Sequence, residues 1–307
     1  MLSCLSTPTM TKLPVVDFSK ADCWKPKTSS WLTVRKDVCL ALKKHGCFVT
    51  TMPDKVSLEL HNTIFETLKD LLDFPVEVKA KNRYEGNVYF GHSSYTPVQE
   101  CLGIMNAPNT EAIQKFTHLF WPNGNEKFSV YELDHVVTKM VFENYGVQKY
   151  HDDHIQSTFP IFQFAQYKEP KKVGSDVGLE SHTDRNFNTI LYQNHVCGLE
   201  INIKDDEWIM FDPPLPSWFL FVAGDLFKIW SNGRIKSCRH RVSMRGNDEV
   251  RYSFGLFSLK LGVTHTLEEF VDEDHPTRYR PVDQLEYINS FNDNKGGLWN
   301  IEEYCGV

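Results

Sequence analysis

Three things are scarce in this sequence: long apolar runs, paired cysteines and an excess of positive charge. The longest purely apolar segment, WFLFVA at 218–223, is far shorter than the roughly 20 residues that a membrane span requires. The first residues also lack the basic and apolar regions of a secretory signal. We therefore expect a cytoplasmic protein with no membrane partner.

The eight cysteines are scattered along the chain, and no two of them form a Cys-x-x-Cys pair. A disulfide scaffold or a structural zinc site would require closer and more regular spacing. We expect reduced thiols that serve as small, buried apolar side chains.

The charge balance is acidic, since 33 Lys and Arg residues against 40 Asp and Glu residues give a formal net charge of −7. Proteins that bind the nucleic-acid backbone usually carry a basic surface, so we expect no nucleic-acid partner. With 41% hydrophobic residues among 307, the chain can bury a substantial core. We expect a globular monomer.

The pattern of hydrophobic residues changes near residue 158. Before it, helix and strand patterns alternate; after it, short β-rich runs recur about every ten residues up to Leu261. This spacing predicts an α+β fold with a mainly β core, a double-stranded β-helix (jelly roll) with flanking N-terminal and C-terminal helices. Within one compact unit we distinguish a flexible extension at 1–12, a helix and strand region at 13–157, the jelly-roll core at 158–261, and a C-terminal helix and lid segment at 262–307.

Individual elements can be predicted around this core. In the N-terminal region we expect strands at 13–18 and 47–51 and helices at 30–45, 55–73 and 133–145. In the core, LFKIW at 226–230 has the apolar character of a buried strand. The Asn232-Gly233 pair that follows accepts the positive φ angles of a tight turn, so we expect a β-hairpin there.

The most informative residues lie in the core region. His182 and Asp184 are two positions apart, and side chains two apart in a strand point to the same face. His240 lies in a later strand pattern that can return to that face. Two imidazoles and one carboxylate leave three adjacent coordination positions open, which suits Fe(II) that must bind a chelating cosubstrate and then O2. A lone His-x-Asp is more often a surface pair, so the metal hypothesis needs support from other residues.

Arg251 and Ser253 provide that support. They are also two positions apart, in the strand pattern RYSFGLF. A guanidinium that faces into an apolar barrel is costly unless an anion neutralises it. A dicarboxylate that chelates the metal at one end and pairs with Arg251 at the other removes this cost, and the Ser253 hydroxyl would donate to the same carboxylate. The two pairs together favour a metal centre with an acidic cosubstrate.

Several segments resemble the plant 2-oxoglutarate- and Fe(II)-dependent dioxygenase family. The core motifs are HTDRNFNTILYQNHVCGLEI, GDLFKIWSNGRIKSCRHRV and RYSFGLF, and the N-terminal LPVVDFS, HGCFVTT and LLDFPVEVKAKN are also similar. The resemblance extends from about Leu13 to Phe270. WPNGNEKF and KMVFENYGVQKY are most similar to the branch that contains the glucosinolate alkenyl- and hydroxyalkyl-forming enzymes, and the auxin-oxidising dioxygenases are similar as well.

This resemblance implies an Fe(II)/2-oxoglutarate-dependent dioxygenase that uses O2, with ascorbate as the reductant. The metal and catalytic residues that it implies are His182, Asp184 and His240, and the residues implied for 2-oxoglutarate are Arg251, Ser253 and Tyr167. Oxidative decarboxylation would yield succinate, CO2 and an iron(IV)-oxo species. That species would hydroxylate, demethylate, desaturate or cyclise a plant specialised small molecule or hormone.

Two positions depart from the family pattern. Many members have Asn-x-Tyr before the metal-binding strand, whereas this chain has Ala165-Gln166-Tyr167, so one expected cosubstrate contact is missing. The stretch from Phe128 to Leu133 also looks shorter than in relatives, which would truncate a helix on the substrate side.

The identity of the small-molecule substrate stays open at this point. The candidate pocket residues, for which a core or lid position is the favoured alternative, are Phe90, Tyr95, Phe257 and Phe270. Two other functions also stay open. One is an ascorbate-dependent family oxidase that does not use 2-oxoglutarate, and the other is a catalytically silent jelly-roll binding protein.

Overall fold

The computed structural model describes residues 13–52, 56–83, 91–105, 131–204, 207–214, 216–293 and 300–307. The helices of this part of the chain are α1 (Ser29–His45), α2 (Leu58–Asp73), α3 (Val76–Lys79), α4 (Tyr131–Asn144), α5 (His151–Gln156), α6 (Pro170–Val173), α7 (Asp225–Trp230), α8 (Gln284–Asp293) and α9 (Ile301–Cys305). Short 3-10 turns lie at Ala21–Trp24, Gln148–Tyr150 and Glu268–Phe270.

The strands are β1 (Val15–Asp17), β2 (Cys47–Thr51), β3 (His92–Ser93), β4 (Gln99–Met105), β5 (Thr158–Tyr167), β6 (Val177–His182), β7 (Asn188–Gln193), β8 (Leu199–Lys204), β9 (Glu207–Met210), β10 (Trp218–Ala223), β11 (His240–Ser243), β12 (Arg251–Lys260), β13 (Val263–Thr264) and β14 (Val282–Asp283). Eight of them form one large sheet in the order β1-β2-β10-β7-β12-β5-β4-β3, and four form a smaller sheet in the order β6-β11-β8-β9. The strands β13 and β14 pair separately.

The large sheet is covered on both faces. Along β10, Phe219 and Phe221 belong to the hydrophobic cluster that includes the helices, whereas Leu220 and Val222 belong to the cluster shared with the small sheet. Because successive side chains of a strand point to opposite faces, a strand buried on both faces is apolar throughout. This explains the uninterrupted WFLFVA run and confirms the jelly-roll expectation of two facing sheets with helices outside.

The N-terminal helices begin and end at residues that the sequence marks. The Thr28 side chain accepts a hydrogen bond from the Trp31 backbone N–H at the start of α1, and Ser57 accepts one from Leu60 at the start of α2. Gly46 ends α1 with φ of 71°, a left-handed conformation that glycine adopts without steric cost. The predicted helices at 30–45, 55–73 and 133–145 and the strands at 13–18 and 47–51 are confirmed to within a few residues at their ends.

The predicted hairpin at 226–233 is wrong. Residues Asp225–Trp230 form helix α7 instead of a strand. Four apolar residues of this segment are fully buried, and a short helix that is buried on all sides has the same continuous apolar pattern as a buried strand. Asn232 and Gly233 do adopt positive φ angles of 52° and 78°, but they follow a helix and do not join two strands.

Strand β5 begins at Thr158. Strands β1 to β4, which precede it, belong to the same large sheet as β5, β7, β10 and β12. The cysteines of the described residues are free thiols, and all except Cys197 are buried. None of the helices in the described ranges is both long enough and apolar enough to cross a bilayer.

Candidate metal and cosubstrate site

Three side chains of the small sheet and the loop after it converge on one point. His182 ends β6 and pairs in register with His240, the first residue of β11. Asp184 follows two residues later, and its Oδ1 lies 3.5 Å from His182 Nε2 and 3.6 Å from His240 Nε2. These three atoms all lie within 4.8 Å of one another, close enough for one metal ion to bind all three.

Neighbouring groups fix the orientation of each of these side chains. The Nδ1 atoms of His182 and His240 lie 2.8 and 3.1 Å from the carbonyl oxygens of Glu180 and Cys238, so each ring donates there and directs its Nε2 at Asp184, where that nitrogen can carry a proton or bind a metal ion. The Thr189 hydroxyl donates to Oδ2 of Asp184 at 2.5 Å, which leaves Oδ1 to face the imidazoles. Hydrogen bonds of this kind preorganise metal ligands.

Helix α7 holds the loop that carries Asp184. The backbone N–H groups of Gly224 and Asp225 donate to the carbonyls of Phe187 and Asp184 at 2.9 and 2.8 Å. A side chain at position 224 would overlap the Asn186 carbonyl, so this close approach requires glycine. This helix, which the sequence analysis predicted as a strand, therefore positions Asp184, a candidate metal ligand.

The electrostatics of the three side chains favour a cation. Burial opposes ionisation of Asp184, but the charges of His240 and His182 and the hydrogen bonds from His182 and Thr189 hold its pKa at about 2. Burial and the neighbouring His182 lower the pKa of His240 to about 4. Burial acts the same way on His182, yet the hydrogen bond and charge of Asp184 outweigh it and raise the pKa of that ring. The ionised Asp184 carboxylate therefore stabilises positive charge beside it, and a metal ion bound there would supply that charge in place of a proton on His182.

Arg251 lies on β12 of the large sheet with only 2% of its surface exposed. Its guanidinium contacts the Gln193 amide oxygen at 2.9 Å and the Ser253 hydroxyl at 3.4 Å, and it lies 4.9 Å above the Tyr167 ring centroid. Among the described residues no carboxylate pairs with it, and its Nε has no hydrogen-bond partner. Burial lowers the pKa of this group, as expected for a buried cation without a counter-ion.

The metal-ligand set and the guanidinium face the same cavity. Its volume is about 600 Å³, and both sheets line it. His182, Asp184 and His240 line one side, and Arg251, Ser253 and Tyr167 line the other. The structure therefore brings together all six residues that the sequence singled out for the metal and the cosubstrate.

The residues present fit Fe(II) and a dicarboxylate. Two imidazole nitrogens and one carboxylate oxygen are the donor set that Fe(II) oxygenases use, with positions left open for other ligands. The unpaired, buried guanidinium of Arg251 is a bidentate donor for a carboxylate that must come from outside the described residues.

Two of the four aromatic residues predicted for the substrate pocket line the cavity. Tyr95 and Phe257 line the cavity. Phe270 does not: it is buried elsewhere, with Tyr145 and Trp230 as ring neighbours, because it packs in the helical layer behind the sheet. Phe90 lies outside the described residues, as does most of the short stretch before Leu133.

Three cavity or support residues were missed by the sequence analysis: Thr189, Gln193 and Gln99. Gln193 pairs in register with Ser253, and Gln99 pairs with Tyr167. All three are polar residues within strand patterns, and this polarity is the feature of the sequence that could have pointed to them. Only the register of neighbouring strands shows that they reach the site.

The comparisons with known proteins agree with this geometry. The model of the 2OG-Fe(II) oxygenase superfamily matches residues 144–260. A protein from Arabidopsis thaliana named probable 2-oxoglutarate-dependent dioxygenase AOP1 is 38% identical over 301 residues, which covers 93% of this chain and 98% of the relative. The 2-oxoglutarate-dependent dioxygenase AOP2 of the same plant is 26% identical, over 96% of this chain and 98% of the relative.

Two solved structures have similar folds. The rice dioxygenase for auxin oxidation has a TM-score of 0.76 at 22% identity, over 96% of this chain and all of that chain. The Arabidopsis thaliana dioxygenase for auxin oxidation 1, in its binary complex with 2-oxoglutarate, has a TM-score of 0.71 at 26% identity, over 86% of this chain and 99% of that chain.

Proposed function

This chain belongs to the 2OG-Fe(II) oxygenase superfamily and is an Fe(II)/2-oxoglutarate-dependent dioxygenase, and we propose that it hydroxylates a plant specialised small molecule or hormone. The observation that carries the proposal is the shared cavity, in which the His182, Asp184 and His240 set and the unpaired Arg251 face one space. Demethylation, desaturation and ring closure are the other outcomes of the same chemistry.

We propose a distinct role for each group of residues. His182, Asp184 and His240 hold Fe(II), which when bound supplies the O2 activation that couples decarboxylation of 2-oxoglutarate to oxidation of the substrate. Arg251 and Ser253 hold the distal carboxylate of 2-oxoglutarate, and the Tyr167 hydroxyl donates to the same ligand.

The protein's own contribution is orientation and exclusion of water. Thr189 and the backbone of α7 keep Asp184 fixed, so the metal ligands need no rearrangement when the ion binds. Gln193 holds the guanidinium of Arg251, which limits 2-oxoglutarate to one orientation. The aromatic and aliphatic lining keeps water away from the reacting groups.

The lining of the cavity on the proposed substrate side favours a mostly apolar small molecule as the substrate. Farther along β5 and β12 from Arg251, the lining residues are Ile161, Phe257 and Leu259, with the Gln163 amide among them. A compound with a hydrophobic body and one hydrogen-bonding group fits such a lining. The similarity to dioxygenases for auxin oxidation makes auxin-like acids the first candidates. We also propose that the protein is a cytoplasmic monomer and that ascorbate serves as its reductant.

The test is an anaerobic ligand screen on the complex of the protein with Fe(II) and 2-oxoglutarate. Candidate plant metabolites that raise its thermal midpoint would then be incubated with O2, and product and succinate would be quantified. Succinate formed in equal amount to oxidised product supports the proposal. Product without succinate would favour the ascorbate-dependent alternative, and absence of any turnover with all binders would favour a silent binding protein.

A further inference from the structure

We propose that Gln99 is a cosubstrate-positioning residue: by donating to the Tyr167 hydroxyl it leaves the phenolic hydrogen for 2-oxoglutarate, and this contact offsets the polar group that position 165 lacks. The inference rests on the proposed binding of 2-oxoglutarate at Arg251, Ser253 and Tyr167. It concerns a residue on β4, a strand that carries none of the residues predicted from the sequence.

The first observation is a row of three polar side chains across three adjacent strands. Gln99 on β4 pairs in register with Tyr167 on β5, and Tyr167 pairs with Arg251 on β12. Residues that are directly opposite in neighbouring strands point to the same face of the sheet. All three line the cavity, so the row forms one wall of it.

The second observation is the hydrogen bonding of Gln99. Its amide Nε2 lies 3.1 Å from the Tyr167 hydroxyl, and only 4% of its surface is exposed. Its Oε1 is buried and has no hydrogen-bond partner among the residues that the structure describes. A buried polar atom without a partner is destabilising, so its presence in a native protein calls for an explanation such as a functional role.

The orientation of the Gln99 amide decides whether Tyr167 can donate to the ligand. With Nε2 donating to the tyrosine, the phenolic hydrogen is left to point at a ligand oxygen. If the terminal amide turns by 180°, Tyr167 donates to Oε1 instead and its hydrogen is lost to the ligand. The first arrangement leaves the buried Oε1 without a partner, a cost that is offset when the Tyr167 hydroxyl donates to a carboxylate, so we infer that 2-oxoglutarate binding favours it.

The third observation is the small side chain at position 165. Ala165 lines the same cavity one strand away from β4 and pairs in register with Cys101. It provides no polar group where the family pattern has asparagine. Gln166 cannot replace it, because side chains alternate along β5 and the Gln166 amide donates to Glu100 on the other face of the sheet. Gln99 is the amide on the cavity side that borders Tyr167.

The test compares 2-oxoglutarate binding to the Fe(II)-loaded protein without O2 in four forms: wild type, Gln99→Leu, Gln99→Glu and the double variant Gln99→Leu with Ala165→Asn. We expect the dissociation constant to rise roughly 10-fold in Gln99→Leu, the effect of losing one buried hydrogen bond. It should rise more in Gln99→Glu, which keeps an acceptor for Tyr167 but adds a negative charge near a diacid. The double variant should recover most of the loss.

The controls separate this inference from general damage. Fe(II) affinity without 2-oxoglutarate and the thermal midpoint of the metal-free protein should stay unchanged in Gln99→Leu, since the residue does not contact the metal ligands. Gln156→Leu removes an exposed amide outside the cavity and should leave the 2-oxoglutarate dissociation constant unchanged. If Gln99→Leu does not fold, Gln99→Met, which is similar in length, uncharged and without an amide, takes its place.

Each outcome has a defined meaning. Wild-type affinity in folded Gln99→Leu or Gln99→Glu would overturn the positioning role. Weakened binding that Ala165→Asn does not restore would overturn the inference that Gln99 offsets the missing polar group at position 165. Failure of the wild-type protein itself to bind 2-oxoglutarate would instead contradict the proposed function.

Discussion

The two ends of the cavity are built differently. At the cosubstrate end, Gln99, Tyr167 and Arg251 lie on three paired strands, and the hydrogen-bond ladder of the sheet sets their spacing. At the end proposed for the substrate, the wall includes Ile288 on helix α8, the helix whose Gln284 side chain contacts Lys260 at the end of β12 that is farther from Arg251. Strand register fixes the spacing of side chains across paired strands. The position of a helix that packs on the sheet depends instead on its side-chain contacts.

The attachment of α8 shows the contrast in detail. The Tyr287 hydroxyl donates to the buried Asp225 carboxylate at 2.8 Å, and Arg185 donates to the Tyr287 carbonyl at 2.5 Å. The Asp225 carboxylate also accepts a hydrogen bond from Thr183, beside the metal ligands. Helix α8 is therefore connected to the candidate metal ligands through a few polar side-chain contacts and not through strand pairing. We expect substitutions at the two ends to affect different measurements.

The largest effect is expected from removal of a metal ligand. Asp184→Ala or His182→Ala should reduce turnover by more than the roughly 100-fold that loss of a supporting hydrogen bond can cause, because the donor set becomes incomplete. Fe(II) binding and succinate formation measure the effect, and circular dichroism checks the fold. Asp176→Ala, at an exposed carboxylate before β6, is the matched control. Full activity in a folded Asp184→Ala would remove this residue from the metal site.

Arg251→Leu should have the next largest effect. Loss of a buried charged partner should raise the 2-oxoglutarate concentration needed for half-maximal rate by at least about 30-fold. Fe(II) affinity measured without cosubstrate should not change, since Arg251 lies across the cavity from the metal ligands. Arg241→Leu removes a half-exposed arginine that pairs with Glu200 and serves as the control. An unchanged requirement for 2-oxoglutarate in Arg251→Leu would contradict its role.

Thr189→Val tests whether the hydroxyl behind Asp184 matters. The two side chains have nearly the same shape, but valine cannot donate to Oδ2 of Asp184. We expect Fe(II) affinity to fall about 10-fold, at the lower end for residues that orient metal ligands. Thr189→Ser keeps the hydroxyl and should retain most of the affinity. Equal affinities in the valine and serine variants would show that the hydrogen bond has no influence on the metal.

Ile288→Ala should have the smallest effect, and only on the substrate. Removing part of an apolar wall should change kcat/KM for the substrate by up to about 10-fold, with no change in the apparent affinity for 2-oxoglutarate. Leu285→Ala, on the exposed face of α8, is the control. A large change in 2-oxoglutarate affinity in Ile288→Ala would mean that the two ends of the cavity are not separate.

The candidate metal and cosubstrate residues were found from short spacings in the sequence. Arg251 and Ser253 are two positions apart on β12, and the period of a strand places both side chains on one face. His182 ends β6 and Asp184 lies in the loop after it, so loop geometry and not the strand period brings this pair together. Helix α7 was not predictable from its short apolar segment. Gly224 and Asp225, at its start, donate to the loop that carries Asp184, a contact between residues about 40 positions apart in the chain.

Residue types at short spacings were enough to identify the family and the candidate metal and cosubstrate residues, because such patterns are local in the chain. The residues that support those candidates can be identified from the folded chain alone. Thr189 behind Asp184, Gln193 beside Arg251 and Gln99 beside Tyr167 meet their partners through loop geometry and strand register. Register is a long-range property of the sheet, since it is fixed by how strands distant in the chain pair with one another.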